Sequence, residues 1–540
     1  MTEQDKKLVE GYLARAATLE GERSVLNGHL QEIADLILPR RALFHSERVQ
    51  GAKLNSKIYD STPARANDLL AAGLHGMLTN PAAKWFTLKI PGVELDEAQA
   101  GWLVAVEKVL FDAINDPDAA FSSAIHEMYL EFGAFGTGLM FIGESKERDG
   151  VYFRSMPLSE CHIAEDGFSK IDTVFRRFTM TVAAIVGRWG LDAVSEDVMK
   201  KYEAQELDHR IELLHVVQPR RTGALVSSLA PNAQKAFTSD YVEVEASHML
   251  ASSGFDTFPY VTPRFYLAPG ETYGRGPGMT ALPDIKMLME MMKTLIVAAQ
   301  KAVNPPIMAP DDGFIGPLRM IPGGMNYYRS GTQDRIEPIQ LGSNIPVTLE
   351  LVHAIQEQIG LTFFTDQLQL SKKLNMTATE VLQETEQKLR LMGPIFGRLQ
   401  SEALDRIIQR VFTIKDAQGE IPEAPEGIES FDIEYVSPMA KAQRQLESQG
   451  LIRTFEILSP FAGLDPEMFD KFDTDAMPFY IGHELFGVNP KLFRDDETVD
   501  EMRQQRREQE EITQGVQNLQ TAGSAAQQFA QAGATVGGNV

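Results

Sequence analysis

The feature that most constrains this chain is a pair of amphipathic helix patterns separated by a segment dense in proline and glycine. The first pattern covers residues 285–303, and the second covers residues 346–366. In both, apolar residues recur at spacings of three and four, which places them on one face of a helix. The prolines and glycines of residues 307–344 exclude a long helix and favour short strands and turns. The sequence therefore predicts two helices, the first about 28 Å long at 1.5 Å per residue, that carry a compact insertion.

A polar loop and a third long helix follow this helix pair. The loop, residues 367–377, contains Lys372 and Lys373 and ends at a capping-box pattern that predicts the start of a helix. Gly393 and Pro394 lie inside that helix, where proline removes a backbone hydrogen bond. We therefore expect the helix to bend sharply at these two residues or to end there.

Residues 1–283 and 378–439 predict a mixed α+β body around the helix pair. Apolar residues at helical spacing predict helices that end before Pro39 and Asn80, and Pro117 is predicted to open another. Short segments rich in β-branched and aromatic residues predict strands further along the chain. These segments are residues 139–142, 151–155, 173–181, 211–217, 241–246, 261–267 and 431–436.

The charge of the chain limits what it can bind tightly. Lys and Arg total 51 against 75 Asp and Glu, which gives a formal net charge of -24. That balance disfavours a tight, sequence-independent grip on DNA phosphates, and it also keeps a large protein soluble. The single cysteine, Cys161, forms no intrachain disulfide, and no run of about 18 apolar residues predicts a membrane span. We expect a protein made in the cytoplasm that contacts DNA locally or transiently.

The motifs of common enzyme and cofactor sites are absent from the sequence. Gly274, Gly276 and Gly278 precede the first amphipathic helix, but no Lys-Ser/Thr pair follows, so a hinge is favoured over a phosphate-binding loop. The histidines form no HExxH pair, and no serine lies in a GxSxG elbow. Cys161 and His162 are adjacent in sequence, which does not make a nucleophile and its base. We predict no catalytic residue, no metal ligand and no bound cofactor, and a chain that is not an enzyme.

Four stretches of the chain resemble the portal family, the head-to-tail connectors of short-tailed bacteriophages. They are YDSTPARANDLLAAGLHGMLTNPAAKWF at residues 59–86, GRGPGMTALPDIKMLMEMMKTLIVAAQKAVNPP at 274–306, MTATEVLQETEQKLRLMGPIFGRLQSE at 376–402 and EYVSPMAKAQR at 434–444. Several long matches in the same order are more specific than any short motif. The resemblance is weak at the two ends of the chain.

The resemblance implies a portal-type subunit of the α+β class that assembles into a ring, typically a dodecamer, around a central channel at one capsid vertex. The implied regions are a wing at residues 1–283 and 378–439, stem helices at 284–303 and 346–366, a small α/β clip at 304–345, a tunnel loop at 367–377, a helical crown at 440–514 and a flexible or partly helical tail at 515–540.

The resemblance also implies the partners and the location. Double-stranded DNA is packaged and ejected through the channel of such a ring. The clip meets the terminase and later the tail adaptor, and the ring also meets the scaffold and the major capsid protein. We therefore expect a homo-oligomer in the virion, at the portal vertex of the capsid, after synthesis in the host cytoplasm.

Four lysines are the candidates for contact with DNA in such a channel. By the resemblance, Lys372 and Lys373 lie on the tunnel loop, and Lys286 and Lys293 lie on the first stem helix. Contacts with sliding DNA must be weak, because each neutralised phosphate adds affinity that resists movement. The loop lysines can alternatively form an ordinary solvated turn. The helix lysines, with Lys301, can alternatively pair with acidic groups of a neighbouring subunit, and helical spacing does not decide between these roles.

Two other functions compete with the portal interpretation. A terminase motor, which is an enzyme, needs a phosphate-binding loop and a carboxylate for magnesium, and the GK[ST] motif of that loop is absent. Another virion structural protein, such as an internal core or tail component, would match the same composition. The formation of closed rings separates the portal from this last alternative.

Overall fold

The computed structural model describes residues 2–41, 43–44, 51–82, 84–90, 97–145, 150–220, 227, 229, 234–303, 307–308, 337–338, 345–368, 392–425, 431–435, 499 and 502–506. The chain divides into two units, Met1–Met439 and Ala440–Val540. In the second unit only residues 499 and 502–506 are described, so nearly all of the predicted crown and the whole predicted tail lie outside the described residues. The fold given below is that of the first unit.

The helices of the first unit are numbered here in chain order. They are α1 (Glu3–Ile37), α2 (Thr62–Leu78), α3 (Glu97–Asn115), α4 (Phe121–Phe135), α5 (Val182–Trp189), α6 (Glu196–Glu203), α7 (Pro277–Val303), α8 (Ile345–Thr362), α9 (Thr365–Leu368), α10 (392–399) and α11 (Asp405–Ala417). A π-helical turn, Gln400–Leu404, joins α10 to α11.

The strands form antiparallel sheets. They are β1 (Phe86–Lys89), β2 (Met140–Ser145), β3 (Gly150–Ser155), β4 (Cys161–Glu165), β5 (Ile171–Thr181), β6 (Arg210–Val217), β7 (Phe237–Glu243), β8 (His248–Phe255), β9 (Tyr260–Val261), β10 (Ile307–Met308), β11 (Glu337–Pro338) and β12 (Asp432–Tyr435). Strands β4 to β8 form a five-stranded sheet in sequence order, and β3, β2 and β9 form a three-stranded sheet. Strand β1 pairs with β12, and β10 pairs with β11. The predicted mixture of helix and sheet is confirmed.

The first half of α1 covers one face of the five-stranded sheet. Thr2 and Asp5 form a capping box at its start, in which the Asp5 N–H donates to Thr2 Oγ1 at 3.2 Å. Tyr12 donates its hydroxyl hydrogen to Asp240 Oδ2 of β7 at 2.5 Å, in a cluster that includes Leu214 of β6. Because α1 has 35 residues and is therefore about 52 Å long, its second half reaches the main core.

The opposite face of the five-stranded sheet is covered by α5 and α6. Leu213 lies in the cluster under these two helices, whereas the next residue, Leu214, lies in the cluster under α1. Successive side chains of a strand point to opposite faces, which accounts for this division. Helices α5 and α6 begin at the side-chain caps Thr181 and Ser195. The sheet is therefore a layer with helices on both faces.

The main core lies where α2, α4, α7, α8, α10 and α11 meet the second half of α1. Helix α4 contributes most continuously, since every residue from Met128 to Phe135 is buried. One of these residues is Glu131, which accepts the Leu158 N–H at 3.1 Å, and burial raises the pKa of this carboxyl to about 8. The end of α1 at Ile37 confirms the helix end predicted before Pro39.

The predicted strands fall into two groups. Those between residues 139 and 246 are confirmed as β2, β3, β5, β6 and part of β7. The strand predicted at residues 431–436 is confirmed as β12. The strand predicted at 261–267 is wrong, because β9 ends at Val261 and only single bridges follow, at Arg264 and Tyr266. Pro263 explains the interruption, since proline cannot donate a hydrogen bond to a neighbouring strand.

Two predicted helix starts are displaced. Helix α4 begins at Phe121, because Pro117–Ala119 form a separate 3₁₀ turn and Ala120 has a positive φ of 55°. Helix α7 begins at Pro277, earlier than the predicted residue 285, and it carries Pro283 inside it. Proline fixes φ near the helical value, so the helix can pass through Pro283 with the loss of one backbone hydrogen bond.

The glycines before and inside α7 allow the backbone of this segment to pass close to the backbone at the end of α4. A Cβ atom on Gly276 would lie 2.7 Å from the backbone N of Gly136, and one on Gly278 would lie 2.3 Å from the carbonyl oxygen of Ala134. Gly136 itself has a φ of 76°, which favours glycine. Thr137 Oγ1 accepts the Gly274 N–H at 2.8 Å beside the crossing. This segment is therefore packed against the end of α4, and its role as a hinge stays a prediction.

We expect Gly278→Ala to destabilise the first unit by about 2 kcal/mol or more, because the new methyl group meets a backbone carbonyl that cannot rotate away. Gly76→Ala in α2 is the matched control, since nothing lies within 4 Å of its Cβ position. The control should be neutral or should stabilise by up to about 1 kcal/mol through helix propensity. Urea unfolding followed by circular dichroism measures both, and equal effects would contradict the crossing.

Candidate functional site

Helices α7 and α8 form an antiparallel pair that leaves the main core together. Ile285 and Leu288 of α7 and Val352 and Ile359 of α8 are buried in the same core, which confirms the apolar face predicted for α8 and the first part of the face predicted for α7. At the other end, Ile307↔Pro338 and Met308↔Glu337 pair as β10 and β11. The insertion between the two helices therefore starts and finishes side by side. The residues between these strands, 309–336, lie outside the described part of the chain.

The base of the helix pair is fixed to α1 and to the start of α2. Lys286 Nζ lies 2.5 Å from Glu32 Oε2 of α1. On α8, Gln356 Nε2 donates to Asp60 Oδ2 at 2.8 Å, and Asp60 Oδ1 also accepts the Thr62 N–H at 2.7 Å in the first turn of α2. These bonds hold the two helices in a fixed position on the body.

The outer part of the helix pair exposes apolar side chains to solvent. On α7, Ile296 and Val297 are each 41% exposed, and on α8 Leu349 and Leu351 are 42% and 52% exposed. Single exposed apolar residues are normal, but these four belong to two packed helices. The apolar stripe of α7 thus belongs to the core near Leu288 and is exposed to solvent toward the end of the helix. Burial of the outer part by subunit packing stays a prediction.

The structure places two of the four candidate lysines on one exposed face of α7. Lys286 and Lys293 are about half exposed and lie seven residues apart. Lys293 Nζ is 3.7 Å from Glu290 Oε1 on the same helix, and Lys301 is exposed near the end of α7. The loop lysines and the capping box that follows them lie outside the described residues. The structure therefore groups the α7 lysines without giving them a ligand.

A buried arginine that the sequence analysis missed connects several parts of the body. Arg264 is 1% exposed, and its guanidinium donates to Glu402 Oε1 at 2.9 Å and Oε2 at 3.3 Å. It also donates to Glu165 Oε2 at 3.1 Å, to the Ser169 carbonyl at 2.6 Å and to the Thr272 carbonyl at 3.4 Å. Two carboxylates and two carbonyls thus satisfy one buried cation. No local sequence pattern could have identified it, because its partners are far away in the chain.

Glu402 reaches Arg264 from the π-helical turn between α10 and α11. Helix α11 is then held by Arg406, which donates to the Ile171 carbonyl at 2.7 Å, and by Arg410, which donates to Thr257 Oγ1 at 2.9 Å. Burial lowers the pKa of Arg410 to about 10. Gly393 and Pro394 lie at the start of the described part of this helix, so a bend there stays a prediction. The observed departure from α-helix lies further on, at Glu402.

The groups that could have suggested catalysis are buried. Burial raises the pKa of the Cys161 thiol to about 12, and burial beside two arginines lowers the pKa of His162 to about 3. At neutral pH the Cys161 thiol is therefore protonated, and the thiolate is the form that acts as a nucleophile. Within the described ranges, no group of three His, Cys, Asp or Glu residues could hold a metal ion. None of the described helices combines the length and apolarity needed to cross a bilayer.

Comparison with known proteins identifies the class. A family model described as bacteriophage head to tail connecting protein matches residues 10–492, which include the body and the helix pair. A probable portal protein of Bordetella phage BPP-1 is 31% identical over 531 residues, 95% of this chain and 93% of the relative. The portal protein of Salmonella phage epsilon15 is 30% identical over 544 residues, 97% of this chain and 95% of the relative.

These matches define a phage connector that joins head to tail. The chain belongs to the family of bacteriophage head to tail connecting proteins, and its function is that of a phage portal protein. The family resemblance found in the sequence is therefore confirmed over almost the whole chain.

We expect Arg264→Ala to destabilise the unassembled subunit by about 3–5 kcal/mol, because Glu402 would be left without its buried cation. The control is Arg275→Ala, which removes an exposed pair with Glu271 at 2.5 Å and should cost less than about 1 kcal/mol. Denaturant unfolding of both variants measures the difference. A small effect at Arg264 would show that the body does not depend on this ion pair.

Proposed function

We propose that copies of this chain assemble into a ring, typically of twelve subunits, whose central channel carries DNA into the capsid and out of it. The observation that carries the proposal is the similarity to two portal proteins over nearly their full lengths. A ring at one vertex needs a rigid body to sit in the capsid wall and a slender part to reach out of it. The layered body and the protruding helix pair are suited to these two tasks.

In this ring α7 and α8 are stem helices around the channel, and residues 304–345 are the clip at their outer end. The clip docks the terminase during packaging and the tail adaptor afterwards. The antiparallel pairing of β10 with β11 supports this assignment, since it brings the two ends of the insertion together beyond the helices. Residues 1–283 and 378–439 are the wing, and residues 440–514 are the crown; the boundary between the two units at residues 439 and 440 supports the last assignment.

The channel must let DNA slide, so its wall must not hold phosphates tightly. The formal net charge of -24 supports this requirement. Lys372 and Lys373, on a tunnel loop at residues 367–377, make the weak contacts that steady the DNA. Lys286 and Lys293 are the other candidates, although each already lies near a carboxylate of its own subunit.

The remaining partners follow from the position of a portal in the virion. The ring meets the scaffold while the head assembles and the major capsid protein at the vertex, after synthesis of the chain in the host cytoplasm. No bound cofactor takes part, and the role is structural.

Electron microscopy of the purified protein tests the proposal. We expect class averages of closed rings with about twelve subunits and a central hole, because closed cyclic symmetry is the common outcome for a chain that offers two complementary faces. Monomers or open filaments, with or without added scaffold, would favour another virion structural protein, such as an internal core or tail component.

We expect the double substitution Lys372→Ala and Lys373→Ala to leave rings intact and to change DNA retention or packaged DNA length, because two weak phosphate contacts per subunit are removed. Lys200→Ala, which removes an exposed lysine from α6, is the control. Particle yield and the length of packaged DNA measure the outcome. Unchanged values in the double variant would refute the loop contacts.

A further inference from the structure

The exposed face of α7 that carries the candidate lysines has a regular composition. Lys286, Lys293 and Val297 occupy positions i, i+7 and i+11, which are two and three helical turns apart and therefore lie on one face. Lys286 and Lys293 are 49% and 50% exposed, and Val297 is exposed as well. The face combines two ammonium groups with an apolar side chain.

Helix α8 has a face of the same spacing and the opposite charge. Glu350, Glu357 and Leu361 also occupy positions i, i+7 and i+11, and all three are exposed. Two carboxylates seven residues apart thus complement two ammonium groups seven residues apart, and these equal spacings match in the antiparallel direction as well. The two faces lie on different helices of the same subunit, so one copy of the chain carries both halves of a complementary pair.

A ring brings such faces together. Rotation about the ring axis leaves the direction of each helix along that axis unchanged, so α7 of one subunit and α8 of the next are antiparallel, as they are within a subunit. A closed ring also requires heterologous contacts, in which two different faces of each subunit are complementary. Because copies with a net charge of -24 repel one another, a local match of opposite charges favours the correct contact.

We infer that the Lys286–Lys293–Val297 face of α7 docks on the Glu350–Glu357–Leu361 face of α8 of a second copy; this inference rests on the proposed ring. Lys293 is then a subunit contact and not a DNA contact. Its distance of 3.7 Å from Glu290 is too long for a direct hydrogen bond, so its ammonium group retains donors for a carboxylate of the neighbour. In the antiparallel contact Lys293 faces Glu350 and Lys286 faces Glu357, so Val297 and Leu361 lie at opposite ends of the docked faces.

Charge reversal tests the inference. Lys293→Glu places a carboxylate opposite Glu350 of the neighbour, and Glu350→Lys places an ammonium group opposite Lys293 of the neighbour. Each variant alone should need about tenfold more protein to form rings, because like charges meet at every contact. Mixed in equal amounts, the two variants should regain wild-type assembly by alternating around the ring. The variant with both substitutions should also regain it.

The control is Lys200→Glu in α6, an equal change of charge on an exposed helical residue, which should assemble like wild type. Ring formation is measured by sedimentation and electron microscopy over a range of protein concentrations. Added salt should reduce the defect of each single variant, because it screens the repulsion. Circular dichroism melting of the unassembled variants verifies that the body is folded.

The outcomes separate the inference from the proposed function. Wild-type protein that forms no rings would overturn the proposed ring itself. Rings of unchanged stability from both single variants would overturn only the docking of α7 on α8. Intact rings with reduced packaging in Lys293→Glu would assign this lysine to the DNA channel and would also overturn the docking. Rescue by mixing is expected only from a heterologous contact between these two faces.

Discussion

The body of this protein is organised around one buried cation. The Arg264 guanidinium lies between Glu402 and Glu165 and also binds the carbonyls of Ser169 and Thr272. A buried charge without partners costs several kcal/mol, so these groups must be in place together or not at all. The π-helical turn is the local distortion that brings Glu402 to this point. The sheet, the segment before α7 and the long helix are thereby held in one arrangement.

The helix pair differs from the body because only part of its apolar surface is buried within the subunit. Near Leu288 and Ile359 it is ordinary core, and its base is held by polar bonds to α1 and to Asp60. Further out, apolar and charged side chains are both exposed on its surface. In a monomer this surface would stay exposed to solvent, whereas in the proposed ring a neighbouring subunit covers it. Under the proposed docking, stability and assembly thus depend on different lengths of the same two helices.

Local patterns in the sequence predicted local structure well and long-range structure poorly. The apolar spacing of Val352, Ile355 and Ile359 identified the buried face of α8, because helix periodicity is read within a few turns. The pairing of β1 with β12 and the bond from Arg264 to Glu402 had no local signal. Of the candidate site, the sequence placed Lys286 and Lys293 on one helix face but could not show Glu32 of α1 beside Lys286.

The pairing of β1 with β12 has a consequence for how the chain folds during synthesis. Phe86 lies opposite Tyr435, so the partner of an early strand leaves the ribosome only when the first unit is almost complete. Contacts of such long sequence separation slow folding, because a long loop must close before they form. Helices α7 and α8 are therefore made before the body that supports them can close. The nascent chain therefore carries the helix faces of the proposed docking before it has a finished subunit to assemble.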